Sequence, residues 1–239
     1  MGETSDETTV AIVGAGPAGL VAAHLLHRTG VPYVVLERYA RTEMKGIAKA
    51  GSIDYRTVEL LKSVGIVPSI LEFTQTNFCC EFRTPSEQVI FDYGTLAGGR
   101  PHYIYPQHEL VGRLCEELVA VGGNIRFGTE VTAVAQDDDG VTLSIIDAEH
   151  GPSTVRARFV AGCDGARSVI AAALRGCQVV EQVLPVRWLA VLGETPPLET
   201  RTIYAAHPRG FAGQMRRWEF PASQAGAPVT NFPMPVTIP

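Results

Sequence analysis

The sequence predicts an α/β fold, in which a Rossmann-like domain with a parallel sheet and a hairpin is joined to a β-rich region. Three stretches of the 239 residues carry this prediction. A glycine turn joins an apolar strand to a helix near the start, residues 106–123 form an amphipathic helix, and residues 131–146 alternate around an Asp-Gly turn. Helical and strand patterns that follow one another in this way are typical of a parallel sheet with crossover helices.

The chain opens with a predicted β-α-β unit. Residues 9–13 are a β-branched run that ends at glycine, which indicates a buried strand. The next helix begins at Pro17, whose missing N–H costs nothing in a first turn, and it ends at Gly30. Residues 33–36 form a second apolar strand, which ends in Glu37.

Later elements are predicted from their turn residues. Ser52 is expected to cap a helix that ends at Gly65. Residues 73–93 are strand-like around a turn at 85–87, and residues 154–165 form a strand that enters a glycine-bounded turn. The tail, residues 220–239, carries five prolines and is not expected to continue a sheet.

Composition excludes several classes of protein. A net charge of −5 and a pI of about 5.7 give no reason to expect a nucleic-acid partner. The five cysteines are odd in number and lack a C-x-x-C spacing, which predicts reduced thiols in a cytoplasmic protein, and no metal site is expected. Acidic residues precede the first apolar run, and glycines and a proline interrupt it, so neither a signal peptide nor a membrane contact is expected.

The glycine turn has the spacing G-x-G-x-x-G at Gly14, Gly16 and Gly19. The first glycine permits the tight turn, the second lets the backbone approach a pyrophosphate, and the third lets the helix pack on the strand. Glu37, at the end of the second strand, stands where a carboxylate can bind ribose hydroxyls. These residues predict a dinucleotide site and leave FAD and NAD as alternatives.

Four further stretches of the sequence resemble a known family. "FVAGCDGARS" places Asp164-Gly165 at the end of a strand, and residues 187–213 read "RWLAVLGETPPLETRTIYAAHPRGFAG". With "AKAGSIDYRTVELLKSVGI" and "YPQHEL", they resemble the flavoprotein aromatic hydroxylases in one unbroken order, from about Thr9 to Arg217. The resemblance favours FAD in the glycine turn.

The resemblance implies an FAD-dependent monooxygenase that is reduced by NADPH or NADH. Through a flavin C4a-hydroperoxide formed with O2, it would hydroxylate a hydroxybenzoate-like aromatic acid beside its ionised phenol. The implied fold is a Rossmann-like FAD-binding domain, residues 1–72 and 101–178, with an incomplete β-rich substrate domain, residues 73–100 and 179–239. The chain is expected to be truncated at its C-terminal end, and a homodimer is considered.

The family's functional positions can be carried over residue by residue. Tyr204 matches the tyrosine that binds the substrate phenol and helps to ionise it, and Arg217 matches the arginine that binds the substrate carboxylate. The cofactor-binding positions implied are Gly14, Gly16, Ala18, Gly19, Glu37, Arg38, Lys49, Gln107, Asp164 and Gly165.

The sequence departs from the family at three of its positions. Lys49 stands in place of an arginine that contacts FAD, Arg167 in place of a histidine, and Met215 in place of a serine that helps to bind the substrate carboxylate. Two alternative functions stay open, one because the chain is expected to be truncated and the other because a dehydrogenase uses the same glycine turn. One is an inactive FAD-binding remnant or interaction module, and the other is an NAD-dependent dehydrogenase.

Overall fold

The computed structural model describes residues 6–44, 50–66, 74–184, 188–189, 191–194, 199–216, 229–231 and 234–235. The chain divides into two compact units. The first comprises residues 1–48, 61–67 and 108–179, and the second comprises residues 49–60, 68–107 and 180–239.

Helices and strands follow one another along the described chain in the order β1 (Asp6–Val13), α1 (Pro17–Thr29), β2 (Tyr33–Glu37), β3 (Ser52–Ile53), α2 (Tyr55–Ser63), β4 (Gln75–Asn77), β5 (Cys80–Arg83), β6 (Gln88–Phe91), α3 (Tyr93–Leu96), β7 (His102–Ile104), α4 (Gln107–Ala120), β8 (Ile125–Phe127), β9 (Thr129–Asp137), β10 (Gly140–Asp147), β11 (Gly151–Gly162), α5 (Val169–Ala173), β12 (Trp188–Leu189), β13 (Leu192–Glu194), β14 (Thr202–His207), β15 (Gly210–Arg216), β16 (Val229–Asn231) and β17 (Met234–Pro235). A single 3₁₀ turn, Gly165–Arg167, stands between β11 and α5.

The sheet of the first unit has the strand order β8-β2-β1-β11-β10-β9. Strand β1 pairs in parallel with β2 and β11, whereas β10 and β9 join antiparallel as a hairpin. In register, Val13 at the end of β1 lies beside Leu36 and Gly162. The carboxyl ends of three parallel strands therefore meet at one edge, which is where open α/β sheets bind their ligands.

One face of this sheet carries a large cluster of the first unit's hydrophobic core. The core residues come from both the parallel strands and the hairpin, together with one residue of α5, and are Ala11, Val13, Val34, Leu36, Val131, Val141, Leu143, Ile145, Val155, Ala157 and Ile170. Every residue of β2 is buried, as expected of a strand covered on both faces of a parallel sheet. The core thus holds the carboxyl edge of the sheet in place.

The largest sheet of the second unit has the order β13-β16-β15-β14-β5-β6, and a smaller one has the order β3-β7-β4. Strands β5 and β14 pair in parallel although they are far apart in the chain, whereas β14 and β15 form an antiparallel hairpin. Strands β12 and β17 form a separate pair.

The structure confirms the β-α-β unit, the amphipathic helix and the hairpin that the sequence predicts. Gly30 ends α1 with a left-handed φ of 69°. Within the described residues, no helix is both long and apolar enough to span a membrane.

Two predictions about local structure are wrong. Ser52 is not a helix cap, because it pairs in β3 with Ile104; Asp54 takes that role, its Oδ1 accepting the N–H of Arg56 at 2.8 Å. The proline-rich tail does continue the sheet, since Val229–Asn231 pairs with β13 and β15. Both tail strands are short, and short strands leave room for prolines at their ends.

Candidate functional site

The glycine turn lies at the carboxyl edge of the first unit's sheet. Gly14 follows β1 with a φ of +98°, and a Cβ there would lie only 2.5 Å from the carbonyl oxygen of Cys163. Its N–H donates to the carbonyl of Leu36 at 2.8 Å, and the N–H of Cys163 donates to Val13 at 2.8 Å. The turn is therefore held between the ends of β2 and β11, in a conformation that favours glycine.

Gly16 and Gly19 differ in the space around them. A Cβ at Gly19 would lie 1.9 Å from the carbonyl oxygen of Gly14, so only glycine lets α1 pack this closely on the turn. Gly16 precedes the first residue of α1, and a Cβ there would meet no atom of the described residues within 4 Å. No described side chain caps this helix, and Ala18 in its first turn is exposed. The open helix start can accept an anionic group, as helix N-termini commonly do.

Glu37 links the end of β2 to the glycine turn. Its side chain is buried, its Oε2 accepts the N–H of Ala15 at 2.7 Å, and its Oε1 accepts the N–H of Tyr39 at 2.9 Å. Each carboxylate oxygen has a second lone pair for a ribose hydroxyl. The exposed Arg38 packs its guanidinium over the ring of Tyr39 at 4.7 Å and donates to its hydroxyl at 2.9 Å.

Asp164 lies beside the turn, at the end of β11. Its Oδ2 accepts the N–H of Val169 at 2.7 Å, which ties it to the start of α5. Its Oδ1 is buried and has no hydrogen-bond partner among the described residues. An unpaired buried oxygen is costly, so it fits a hydroxyl donor supplied by a bound molecule. Gly165 follows with a φ of +80° and starts the 3₁₀ turn.

The remaining cofactor positions lie elsewhere or outside the described residues. Gln107 is the first residue of α4, is half-buried, and donates its N–H to the carbonyl of Ala50 at 2.8 Å. Lys49 and Arg217 fall outside the part of the chain that the structure describes. The structure therefore brings together the glycine turn, Glu37 and Asp164, whereas the roles of the other positions stay predictions.

Tyr204 lies on β14 in the second unit, where it forms an aromatic stack. Its ring is half-buried between Phe82, with centroids 5.4 Å apart, and Phe211, with centroids 6.1 Å apart. Gly213 stands directly opposite Tyr204 and leaves room for the ring of Phe211. Burial raises the pKa of Tyr204, and the nearby Cys80 thiol adds to this. The phenol thus stays protonated at neutral pH and is able to donate a hydrogen bond.

Sequence reasoning missed two members of this stack. Phe211 lies within the quoted stretch "HPRGFA", so its place opposite Tyr204 follows once β14 and β15 are known to form a hairpin. Phe82 is brought beside Tyr204 only by the parallel pairing of β5 with β14, for which neither strand carries a local signal.

The fold and the turn define a dinucleotide-binding α/β protein. A family model described as "FAD binding domain" matches residues 7–232, and the chain therefore belongs to this FAD-binding domain family. This result resolves the choice between FAD and NAD that the glycine turn alone leaves open. It also confirms the family predicted from the sequence.

Comparisons with individual proteins agree with this assignment to the FAD-binding domain family. The chain is 27% identical over 208 residues to p-hydroxybenzoate hydroxylase of Acinetobacter baylyi (86% of this chain, 51% of that protein). It is 31% identical over 202 residues to 3-(3-hydroxy-phenyl)propionate/3-hydroxycinnamic acid hydroxylase of Escherichia coli strain K12 (82% and 35%). The structure of p-nitrophenol 4-monooxygenase PnpA from Pseudomonas putida DLL-E4 matches with a TM-score of 0.74 at 20% identity (97% and 58%), which is a likeness of fold. The chain thus spans about half or less of the length of these curated relatives.

Proposed function

We propose that this chain provides the FAD site and part of the substrate site of a monooxygenase that hydroxylates a hydroxybenzoate-like aromatic acid, using O2 and NADPH or NADH. The observation that carries the FAD site is the buried Oδ1 of Asp164, which has no hydrogen-bond partner among the described residues and lies beside the glycine turn. The choice of an aromatic acid as substrate is supported by the activities named for the relatives and by the aromatic stack around Tyr204.

Residues of the first unit fit the proposed cofactor. The open start of α1 at Gly16 and Ala18 would take the pyrophosphate, with Gly14 and Gly19 shaping the turn. Glu37 would accept ribose hydroxyls through its remaining lone pairs, with Arg38 next to it. Asp164 and Gly165 of the same unit would meet the flavin side of the molecule. The family resemblance extends the proposal to Lys49 and Gln107, which belong to the second unit.

Bound FAD, once reduced by NADPH or NADH, would supply the chemistry that activates O2. The chain's own residues would bind and orient the acid. The protonated hydroxyl of Tyr204 would donate a hydrogen bond to the ionised phenol of the substrate, which stabilises the phenolate. Arg217 would bind the substrate carboxylate, since a guanidinium suits two parallel hydrogen bonds.

We also propose a role for each of the two domains expected from the sequence. Residues 1–72 and 101–178 would bind FAD, and residues 73–100 and 179–239 would provide part of the substrate domain. FAD retained by a chain that never responds to an aromatic acid would favour an FAD-binding remnant instead.

The first test is FAD binding. The purified 239-residue chain is incubated with FAD, gel-filtered, and its visible spectrum recorded. We expect a retained flavin spectrum, and NAD should not compete with FAD for the site. Gly16→Val is expected to weaken FAD binding about tenfold to a hundredfold, because a side chain in this space displaces phosphate contacts worth about 1.5–3 kcal/mol.

The control for this variant is Ala133→Val on the exposed surface of β9. Gly16→Val should unfold at the same urea concentration as wild type, since its Cβ would meet no described atom within 4 Å. A colourless wild-type chain after gel filtration, or a Gly16→Val chain that binds FAD as tightly as Ala133→Val does, would contradict the proposed FAD site.

The second test is substrate binding, with p-hydroxybenzoate as the probe. Its ionised phenol absorbs at longer wavelength than its neutral form, so binding to wild type is expected to shift the ligand spectrum toward the phenolate. Tyr204→Phe keeps the ring of the stack and removes only the hydroxyl, and it should lose this shift. A phenolate signal of wild-type size in Tyr204→Phe would overturn the role proposed for Tyr204.

A further inference from the structure

A carboxylate is buried in the largest sheet of the second unit. Glu81, in the middle of β5, has a fully buried side chain. Its Oε2 accepts a hydrogen bond from Nε of Arg201 at 2.7 Å, and its Oε1 accepts one from Nε of Arg83. The bond from Arg83 and the pairing with Arg201 lower the pKa of Glu81 to about 2 against the opposing effect of burial. Glu81 is therefore ionised, with a cation at each oxygen.

The partners of Glu81 belong to different parts of the chain. Arg83 lies on the same strand, whereas Arg201 stands immediately before β14 and is 120 residues away. Strands β5 and β14 pair in parallel, with Ile203 beside Glu81 and Tyr204 beside Phe82. The link between Glu81 and Arg201 is thus a charged contact between the two strands, one register step from the stacked rings.

Register decides which way Tyr204 points. Side chains alternate between the two faces of a sheet, so a slip of one residue would carry Tyr204 to the face opposite Phe82 and Phe211. Apolar packing alone discriminates weakly between such slips on these strands, because β14 carries an apolar or small side chain at each position from Ile203 to Ala206. The contact between Glu81 and Arg201 favours the register that brings the two charges together. In any other register Glu81 keeps only Arg83 of its own strand, and one oxygen of a buried carboxylate loses its charged partner.

We propose that the ion pair of Glu81 with Arg201 is a positioning device that sets the register of β14 and so places the Tyr204 ring between Phe82 and Phe211. The proposal rests on the proposed function in one respect, which is that Tyr204 is the residue that meets the substrate phenol. Glu81 and Arg201 act through Tyr204 and are positioning residues. A second lateral contact, from the Asn77 amide to the Thr202 hydroxyl at 3.4 Å, is longer and uncharged.

The test observes the Tyr204 ring without substrate or cofactor. The full chain is labelled with 3-fluorotyrosine, and the ¹⁹F resonance of Tyr204 is assigned as the one lost in Tyr204→Phe. In wild type we expect this resonance to be displaced by the ring currents of Phe82 and Phe211, and its ionisation to occur at higher pH than in the free amino acid. In Glu81→Gln we expect both properties to move toward those of the free amino acid.

Two further variants complete the comparison. Arg201→Lys keeps the positive charge but loses the guanidinium Nε that contacts Glu81, and a smaller displacement in the same direction is expected. Asp137→Asn breaks an ion pair of the first unit, with Arg156 at 2.6 Å, and should leave the Tyr204 resonance unchanged. Far-UV circular dichroism reports whether each variant is folded.

A wild-type resonance and ionisation pH of Tyr204 in folded Glu81→Gln would overturn the proposal. Should Glu81→Gln fail to fold, the folded Arg201→Lys variant decides in the same way. Addition of p-hydroxybenzoate separates the two proposals. If p-hydroxybenzoate leaves the wild-type Tyr204 resonance unchanged but the substitutions displace it, the positioning role holds and the substrate assignment fails. If the acid displaces the resonance but the substitutions do not, only the positioning role is overturned.

Discussion

The carboxylate of Glu37 accepts a hydrogen bond at 2.7 Å from the backbone N–H of Ala15, which lies inside the glycine turn. A residue expected to bind the cofactor is therefore also part of what holds the turn in shape. Its second oxygen holds Tyr39 in the same way.

Glu37→Ala is expected to lower the free energy of unfolding by about 1–3 kcal/mol for each backbone N–H left buried without a partner. Denaturation in urea measures this loss. Glu43→Ala is the matched control, since Glu43 accepts the N–H of Ala40 at the same 2.7 Å but at an exposed position. Equal losses in the two variants would show that burial of the Glu37 contacts contributes nothing.

Gly14→Ala is expected to destabilise the chain by about 1–3 kcal/mol or more, whether or not FAD is present. The added Cβ would meet the carbonyl oxygen of Cys163 at 2.5 Å, and the φ of +98° is strained for any other residue. Gly16→Ala is the matched control, because its φ is −72° and its Cβ faces open space. Urea midpoints that coincide for the two variants would contradict this account of the turn.

Stability is expected to fall between pH 7 and pH 5 because of His24. This side chain is buried, and its Nε2 donates to the carbonyl of Leu114 at 2.8 Å, which joins α1 to α4. Burial lowers the pKa of His24 below 6.5, against the opposing effects of the Leu114 bond and of Glu117. The unfolded chain therefore binds a proton first as the pH falls, and the free energy of unfolding drops by up to about 1.4 kcal/mol per pH unit.

The measurement for His24 is urea denaturation at several pH values in this window, on wild type and His24→Gln. The variant is expected to show the shallower dependence on pH. His207→Gln, at an exposed position of β14, removes a histidine elsewhere. A slope that both variants change equally would contradict the assignment to His24.

A separate loss of stability is expected in acid, from Asp137. Its pKa is lowered to about 2, chiefly by the bond from Arg156 and also by the N–H groups of Asp139 and Gly140. A carboxyl whose pKa falls on folding stabilises the protein above its unfolded pKa of about 4, and this contribution disappears as the pH falls toward 2. Asp137→Asn should flatten the pH dependence of unfolding in this range.

Asp138→Asn removes the same charge from the exposed neighbour of Asp137. Thermal unfolding at intervals between pH 2 and pH 5 compares the two variants with wild type. Identical profiles for the two variants would mean that net charge, and not the ion pair, governs stability in acid.

Local chemistry made part of this fold predictable. The unit from β1 to β2 follows from a glycine turn, a proline at Pro17 and a glycine at Gly30, each of which acts within a few residues. The hairpin of β9 and β10 follows in the same way from its Asp-Gly turn. The family resemblance then added the cofactor, which the turn alone could not distinguish from NAD.

Long-range pairing made the rest unpredictable. The Asp164 oxygen that lacks a partner among the described residues and the stack of Phe82 on Tyr204 both depend on which strands pair, and strand pairing leaves no mark on local periodicity. The prediction that Ser52 caps a helix is wrong because serine is a good helix cap by itself, whereas here Ser52 pairs with Ile104 in a strand. Tertiary contacts overrode local preference at each of these positions.

The parallel pairing of β5 with β14 also bears on synthesis of the chain at the ribosome. Strand β5 is synthesised about 120 residues before β14, its parallel partner. At the usual rates of translation this interval lasts roughly 6–24 s. During that time β5 has only β6 beside it, and its other edge is open to strands of other chains. We therefore expect the yield of folded protein to rise at a lower growth temperature and with chaperones that cover this strand edge until β14 has been synthesised.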